Sequence, residues 1–363
     1  MQQQLKIIRE GFEGKTCYVQ SRIGSADHTG THLILTTQKL ILAGSDTYTL
    51  ICSMFSNDGG KTWSEPIPQT GFEQIDRIVC DFVPSFHQKS STLIGLGGSV
   101  SYKSLEPPIL DYTKPMQTFF SIYNKETNTW GKVKPPMDKD GNPLGGFTAA
   151  CCRRYELKNG DILQPVYRRL TPGGKLFANV IRFAFDGNNL IWKEEGNLLG
   201  MESEERGLAE PSIAYFNGIY YLTLRADSRG YVATSVDGLH FSEPKVWTWD
   251  TGLPVPTYNT QQNWVVQKDA LYLVYTRKDG KNDHVFRNRA PLYLCKVDPT
   301  PLSLLHSTEI ALTPERGARM GNFGVTHISD KTSIVVTTEW MQPLGCEKYG
   351  SNNAVFAVWV EEE

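Results

Sequence analysis

An excess of charge of either sign is what this sequence most clearly lacks. Lys and Arg number 37 and Asp and Glu 39, a formal net charge of −2, so there is no electrostatic case for a nucleic acid or an anionic membrane as partner. Long apolar runs are missing too: nothing approaches the roughly 18 residues of a membrane-spanning helix. The N-terminal stretch MQQQLKIIREGF holds no apolar segment of signal-peptide length, and the chain as written is expected in the cytoplasm; a secreted protein with its leader removed would read the same. There is no CxxC pair, HExxH, EF-hand loop or GxSxG, and Gly95-Leu96-Gly97-Gly98 has neither the lysine nor the following helix of a phosphate loop. No cofactor and no metal are expected. The cysteines, Cys17, Cys52, Cys80, Cys151, Cys152, Cys295 and Cys346, are odd in number and cannot all pair internally. Buried free thiols in a reducing compartment follow as the expectation.

Helical periodicity is scarce, and short strands take its place: THLILTT, LILAG, TLICSMFS, TLIGLG, TFFSIYN and IVVTTEW, separated by turn clusters such as NDGG, KNGD, FDGN, FNG and VDG. Four strand–turn units end on an aromatic. They are SNDGGKTW at Trp63, NKETNTW at Trp130, FDGNNLIW at Trp192 and SVDGLHF at Phe241, spaced 67, 62 and 49 residues apart. A period of about 60 residues holds four strands with their turns, one propeller blade, and fits about six times into the chain. A blade cannot bury both faces alone, so neighbours must stack on it and close a ring. The predicted fold is all-β, a six-bladed β-propeller running through residues 1–363 as one domain. It should close by pairing N- and C-terminal segments, with Asn353–Val360 central, because a propeller has no other way to hide its last edge. A parallel β-helix, the other repeat architecture, has rungs shorter than this period.

Ser56-Asn57-Asp58-Gly59-Gly60-Lys61-Thr62-Trp63 matches the Asp box, S-x-D-x-G-x-T-W, at every fixed position. Ser235–Phe241 is a weaker copy, and Phe185-Asp186-Gly187 with Trp192 a degenerate third. In such a turn the Asp accepts hydrogen bonds from its own backbone, a glycine takes positive φ and the aromatic packs under the hairpin. Asp58 and Asp237 are therefore read as structural.

The order of landmarks around these boxes resembles the sialidase (neuraminidase) superfamily. Tyr18-Val19-Gln20-Ser21-Arg22-Ile23-Gly24 stands where that family opens with Tyr/Phe-Arg-Ile-Pro, keeping Arg-Ile without Pro. Asp46 follows one strand later, ahead of the first box, where the family has its acid/base. Glu210, leading Glu210-Pro211-Ser212-Ile213, and Arg225 one hairpin on stand where the family has a glutamate and a second arginine. The resemblance covers most of the chain. It implies a carboxylate-bearing sugar held by arginines, which stay charged and pair bidentately. It implies a leaving oxygen protonated by Asp46, and a glutamate-activated tyrosine beneath the oxocarbenium-like centre. The strand expected to carry that tyrosine reads Gly321-Asn322-Phe323-Gly324-Val325, with Asn322 or Phe323 in its place. Arg277, Arg287, Arg289, Arg316 and Arg319 compete as the third arginine.

Other candidates lie in polar loops, where propellers carry function. Asn282–Arg289 crowds polar and charged residues around His284, as an active loop or a solvated one. Thr257–Trp264 mixes amides and aromatics, including Gln262 and Trp264, which suits sugar hydroxyls and pyranose faces or a hydrogen-bonded turn. His87 is a candidate general base or a structural imidazole. Arg319, in a charged glycine loop, and Glu339, ending IVVTTEW, are further candidate ligands.

Three functions are open. The first is an exo-acting glycoside hydrolase of sialidase type on an acidic sugar, supported by the ordered set Arg22, Asp46, Glu210 and Arg225. The second is a polysaccharide lyase or other glycosidase on the same propeller, with His87 or His284 and a tyrosine as acid and base. The third is a non-catalytic glycan-binding propeller. A carbohydrate is the expected partner in each; nothing in the sequence indicates an oligomeric state.

Overall fold

The computed structural model describes residues 1–43, 46–73, 77–105, 108–203 and 205–362. Six antiparallel sheets, five of four strands and one of five, form the blades of a six-bladed β-propeller. Blade 1 starts with strand Thr16–Ser25, blade 2 with Ile78–His87, blade 3 with Tyr155–Glu156, blade 4 with Ala209–Phe216, blade 5 with Asn263–Val266 and blade 6 with Phe323–His327. The N-terminal strand Gln2–Arg9 is the outermost strand of blade 6. It runs antiparallel to Val355–Glu361 with Leu5 opposite Val358, and Val355–Glu361 pairs on its other side with Thr332–Thr338. The two ends of the chain thus close the ring, as the edge argument requires.

Strand alternation explains how the blades stack. In blade 3, Ile162, Val166, Ile181 and Phe183 face blade 2, packing with Ile94, Leu96 and Phe120. Their neighbours Leu163, Ala178 and Val180 face blade 4, packing with Ile213, Leu222 and Leu224. Equivalent clusters join blades 1 and 2, 4 and 5, 5 and 6, and 6 and 1. All seven cysteines are buried in or beside these layers and free.

The turn at Ser56–Trp63 is held by its aspartate. Asp58 accepts from Thr62 N (2.9 Å), Thr62 Oγ1 (2.7 Å) and Ser56 Oγ (2.9 Å), and Trp63 Nε1 donates to Gly60 O (3.1 Å). Gly60 has φ 86°, and a Cβ there would come within 2.5 Å of the Trp359 ring of blade 6. The bonds from Thr62 hold the Asp58 carboxyl down at about 2. A carboxyl whose folded pKa lies below its unfolded value stabilises the fold above the unfolded pKa and loses that contribution as pH falls through the folded one. Asp58→Ala is expected to lower Tm by a few degrees at neutral pH and to flatten the acid limb of the Tm–pH curve between about pH 4 and 2. Superimposable melting profiles of mutant and wild type across that range would remove Asp58 from the stability of the blade.

Candidate active site

The inner strand of every blade is interrupted at one level. Register slips occur between Val19 and Arg22, Cys80 and Val83, and Ala209 and Ser212. In blades 3, 5 and 6 an isolated bridge, Thr148 to Tyr167, Thr257 to Arg277 or Arg319 to Trp340, precedes the gap. In blades 1 to 5 the interruption holds one non-glycine residue in the left-handed region: Gln20 (φ 59°), Asp81 (50°), Cys151 (65°), Glu210 (48°) and Asn259 (43°). Such backbone costs on the order of 1–3 kcal/mol per residue and collects at functional sites. A bulge also re-aims side chains, and here it turns them toward the centre of the ring.

The result is one hydrogen-bonded network drawn from all six blades. Arg22, 1% exposed, donates through Nη2 to Asp81 Oδ1 (3.0 Å) and Gln261 Oε1 (3.2 Å), with Cys151 Sγ at 3.3 Å. Asp81 also accepts from Gln20 Nε2 (3.0 Å) and Asn322 Nδ2 (3.4 Å). Asn322 Oδ1 in turn accepts from Arg289 Nη1 at 3.4 Å. Arg289 Nε donates to Asn259 O (2.9 Å), while Asn259 Oδ1 accepts from Arg225 Nε (3.0 Å) and Arg206 Nη2 (3.1 Å). Arg225 Nη1 pairs with Glu210. Glycine at 324 lets blade 6 approach this close, since a Cβ there would lie 2.7 Å from Arg22 Cα. Burial pushes the Asp81 carboxyl up, against the pull of Arg22. Burial and then the neighbouring Arg225 push the Arg289 guanidinium well below its ordinary value.

Above the network opens a cleft of about 460 Å³. Asp81, Glu210 and Arg225 reach its floor, with Arg22 and Arg289 buried behind them. Its walls are Asp46 and Tyr48 of blade 1, Tyr112–Met116 beyond the hairpin Tyr102–Leu105 and Pro108–Leu110 inserted in blade 2, Tyr167 and Arg169–Pro172 of blade 3, and Arg206 and Asp227 of blade 4. Asp46 is half-buried, its carbonyl accepts from Tyr102 Oη (2.7 Å), and Arg287 and Arg319 lie within electrostatic reach of it.

Of the residues singled out from sequence, Arg22, Asp46, Glu210, Arg225 and Arg289 come together here, while Arg287 lines a separate pocket beside Tyr258 and Lys278. The others do not join the network. His87 is buried at the far end of its strand, six residues or about 20 Å from Asp81; its ring nitrogens meet Ser90 Oγ (2.7 Å) and Gly160 O (2.8 Å). His284 packs at a tilt against Tyr349 (4.4 Å between centroids) and meets Glu315 (3.2 Å), over a separate small pocket. Arg319 sits over Trp340, its Cζ 3.8 Å from the ring centroid. Gln262 accepts from Trp247 Nε1 (3.1 Å) in the core, and Trp264 is fully buried with Nε1 on Ser212 O (2.9 Å), so it offers no face to a sugar. Glu339 is fully buried in an ion pair with Arg316. Among the rival third arginines, Arg277 is taken by Glu309 and Arg316 by Glu339. Asp81, Cys151 and Tyr167 went unselected, and within Thr257–Trp264 Asn259 and Gln261 were passed over for Gln262 and Trp264. Asp81 did carry a signal, a lone charge inside the apolar strand IVCDFVPSF.

No protein-family model matches the sequence, and no curated protein matches it. Solved structures do. A Dyadobacter fermentans protein of unknown function is similar over 99% of both chains, with a TM-score of 0.67 and 14% identity. The Trypanosoma rangeli sialidase is similar over 99% of this chain and 59% of its own, with a TM-score of 0.63 and 17% identity. A mutant of NanB sialidase from Streptococcus pneumoniae matches over 98% of this chain and 70% of its own, TM-score 0.66, at 11% identity. The chain thus spans little more than half of the trypanosomal enzyme. The likeness establishes the sialidase-type propeller.

Proposed function

We propose that the protein is a glycoside hydrolase of sialidase type acting on an acidic sugar. The observation that carries this is a charge count at the centre of the ring. Arg206 is neutralised by Asp227, and the three remaining guanidiniums, Arg22, Arg225 and Arg289, meet two carboxylates, Asp81 and Glu210, so three minus two leaves one positive charge even with both acids ionised. An unneutralised buried charge is costly, and a ligand carboxylate at the cleft floor neutralises it. The T. rangeli sialidase has been solved with sialic acid and with the inhibitor DANA, which makes these the first probes. In this reading Asp46, on the cleft wall, protonates the departing oxygen. A lyase using His87 or His284 is disfavoured, since neither lines the cleft and no histidine is among its lining residues.

Release of 4-methylumbelliferone from acidic and neutral glycosides tests the reading: acidic glycosides should turn over and neutral hexosides should not. Asp46→Asn is expected to lower kcat on an alkyl or sugar leaving group by at least about 10²-fold, with a much smaller loss on the activated phenol. Equal losses on both leaving groups would take proton donation away from Asp46.

A further inference from the structure

We infer that the protein has a second binding site, apart from the cleft, which takes a compact oxyanion group, a sulfate or a carboxylate, carried on a glycan. It is the pocket of about 120 Å³ around Arg319, walled by the loop ahead of strand Phe323–His327 and by the short helical turn Cys346–Tyr349. The anion site stands without the hydrolase reading; that a glycan carries the anion rests on it.

Arg319 lines this pocket and is 8% exposed. It has no carboxylate partner among the described residues, where its side chain makes one hydrogen bond, from Nη2 to Gln342 Oε1 (3.3 Å). Its Nε is buried with no partner, and so is Nε1 of Trp340 beside it. Two aromatic faces hold the guanidinium instead, with Cζ 3.8 Å from the Trp340 centroid and 4.9 Å from that of Phe286. Such contacts offset part of the cost of burying the charge but supply no counter-charge. Lys348 brings a second cation to the pocket, its Nζ 4.9 Å from the Tyr349 centroid. No Asp or Glu is among the described residues lining it. The acids nearby are engaged elsewhere: Glu315 by His284 (3.2 Å) and Gly317 N (2.5 Å), Glu347 by Gly345 N (2.9 Å). The walls are also tightly fitted. Gly317 has φ 91°, and a Cβ there would meet Tyr349 Cδ2 at 2.6 Å.

Size and surroundings select the ligand. At roughly 30 Å³ per water the pocket has room for about four, which suits one oxyanion group and excludes a sugar ring. The ring has a place outside. A groove adjoins the pocket, sharing His284, Phe286 and Pro343 with it and adding Tyr258, Lys278 and Arg287. Phe286 is 40% exposed and offers an apolar face to a pyranose. Trp340 meets Tyr48 of the cleft wall edge-on, 6.5 Å between centroids, so pocket and cleft share a wall.

The Trp340 indole N–H reports the site in proton–nitrogen correlation spectra of the full chain, its signal assigned by its loss in Trp340→Phe. Sodium sulfate at constant ionic strength should shift that signal saturably, with a Kd of about 1 mM or below; sodium chloride and glucose should not. Arg319→Met should weaken sulfate binding at least about tenfold. Lys348 is exposed, so Lys348→Glu keeps the test open even where Arg319→Met fails to fold, and it should weaken binding at least about fivefold. Glucose 6-sulfate binding at least as tightly as inorganic sulfate supports a glycan as the carrier. Weaker binding of the sugar overturns the glycan and leaves an ion site. No saturation below about 50 mM, or unchanged affinity in Lys348→Glu, overturns the site itself. Turnover of acidic glycosides is measured on the same samples, so loss of this site and loss of the hydrolase reading show separately.

Discussion

Replacing Arg289 with methionine is expected to lower kcat/KM for an acidic glycoside by about 10²–10⁴-fold and to leave thermal stability unchanged or raised. The magnitude follows from losing the one unneutralised positive charge behind the cleft floor, taken as equivalent to two charge-assisted hydrogen bonds, roughly 1.5–3 kcal/mol each, at about 1.4 kcal/mol per decade. The sign of the stability effect follows from what Arg289 touches. Arg22 has Asp81 and Arg225 has Glu210, but the hydrogen-bond partners of Arg289 are the neutral Asn259 carbonyl and Asn322 amide. A buried guanidinium without a carboxylate partner, repelled by Arg225, is a cost the free protein carries. Methionine keeps the aliphatic stem that packs against Gly321, where an added Cβ would meet Arg289 Cδ at 2.6 Å. The comparison variants behave differently: Arg22→Met strands Asp81 and Arg225→Met strands Glu210, so each should lose stability together with affinity. Kinetics on one acidic and one neutral glycoside, with calorimetry on the same samples, separate the cases. A large drop in Tm for Arg289→Met with no selective loss on the acidic substrate would make Arg289 a structural residue and remove the charge argument.

The blade repeat was legible because each of blades 1 to 4 ends on a turn and an aromatic that packs beneath it, at Trp63, Trp130, Trp192 and Phe241. Blade 6 offers no such unit, since its outermost strand comes from the other end of the chain. Within the site, Arg22, Glu210 and Arg225 were readable from their order. Which of the remaining arginines joins them was not, because the acids that occupy Arg277 and Arg316 lie 32 and 23 residues away, beyond any local pattern. The choice of Gln262 and Trp264 over Asn259 and Gln261 failed for a different reason. Alternation assigns faces only along regular strand, and the left-handed turn at Asn259 resets it. Gln261 then reaches Arg22 and Phe323 O (2.7 Å), while Gln262 and Trp264 enter the core between blades 4 and 5. The same device places Asp81: its lone charge in an apolar strand marked it, but alternation alone does not foresee the register slip beside it.

Glu339→Ala should be strongly destabilising, with no change in preference between acidic and neutral substrates. Glu339 is 0% exposed. It accepts from Arg316 Nε (2.7 Å) and Nη2 (3.0 Å), and from the backbone of Asn352 (2.8 Å) and Ala354 (3.0 Å). Those amides lead into Val355–Glu361, the strand that closes the ring. Between them, Asn353 bonds the Glu339 carbonyl (2.7 Å) and both backbone groups of Tyr18 in blade 1 (2.9 and 2.8 Å). Removing the carboxylate leaves two backbone donors and a guanidinium without their acceptor at the seam between blades 6 and 1. Breaking a buried pair from one side costs about 3–5 kcal/mol. The Arg316 side chain is 24% exposed and water can reach it, so the lower end applies, about 3 kcal/mol, or roughly 4 °C in Tm. Glu339→Gln keeps the shape and one acceptor oxygen, and should fall between alanine and wild type. Melting curves for the pair, read beside the acidic-to-neutral rate ratio, decide the matter: a normal Tm with selective loss on the acidic substrate would return Glu339 to the binding site.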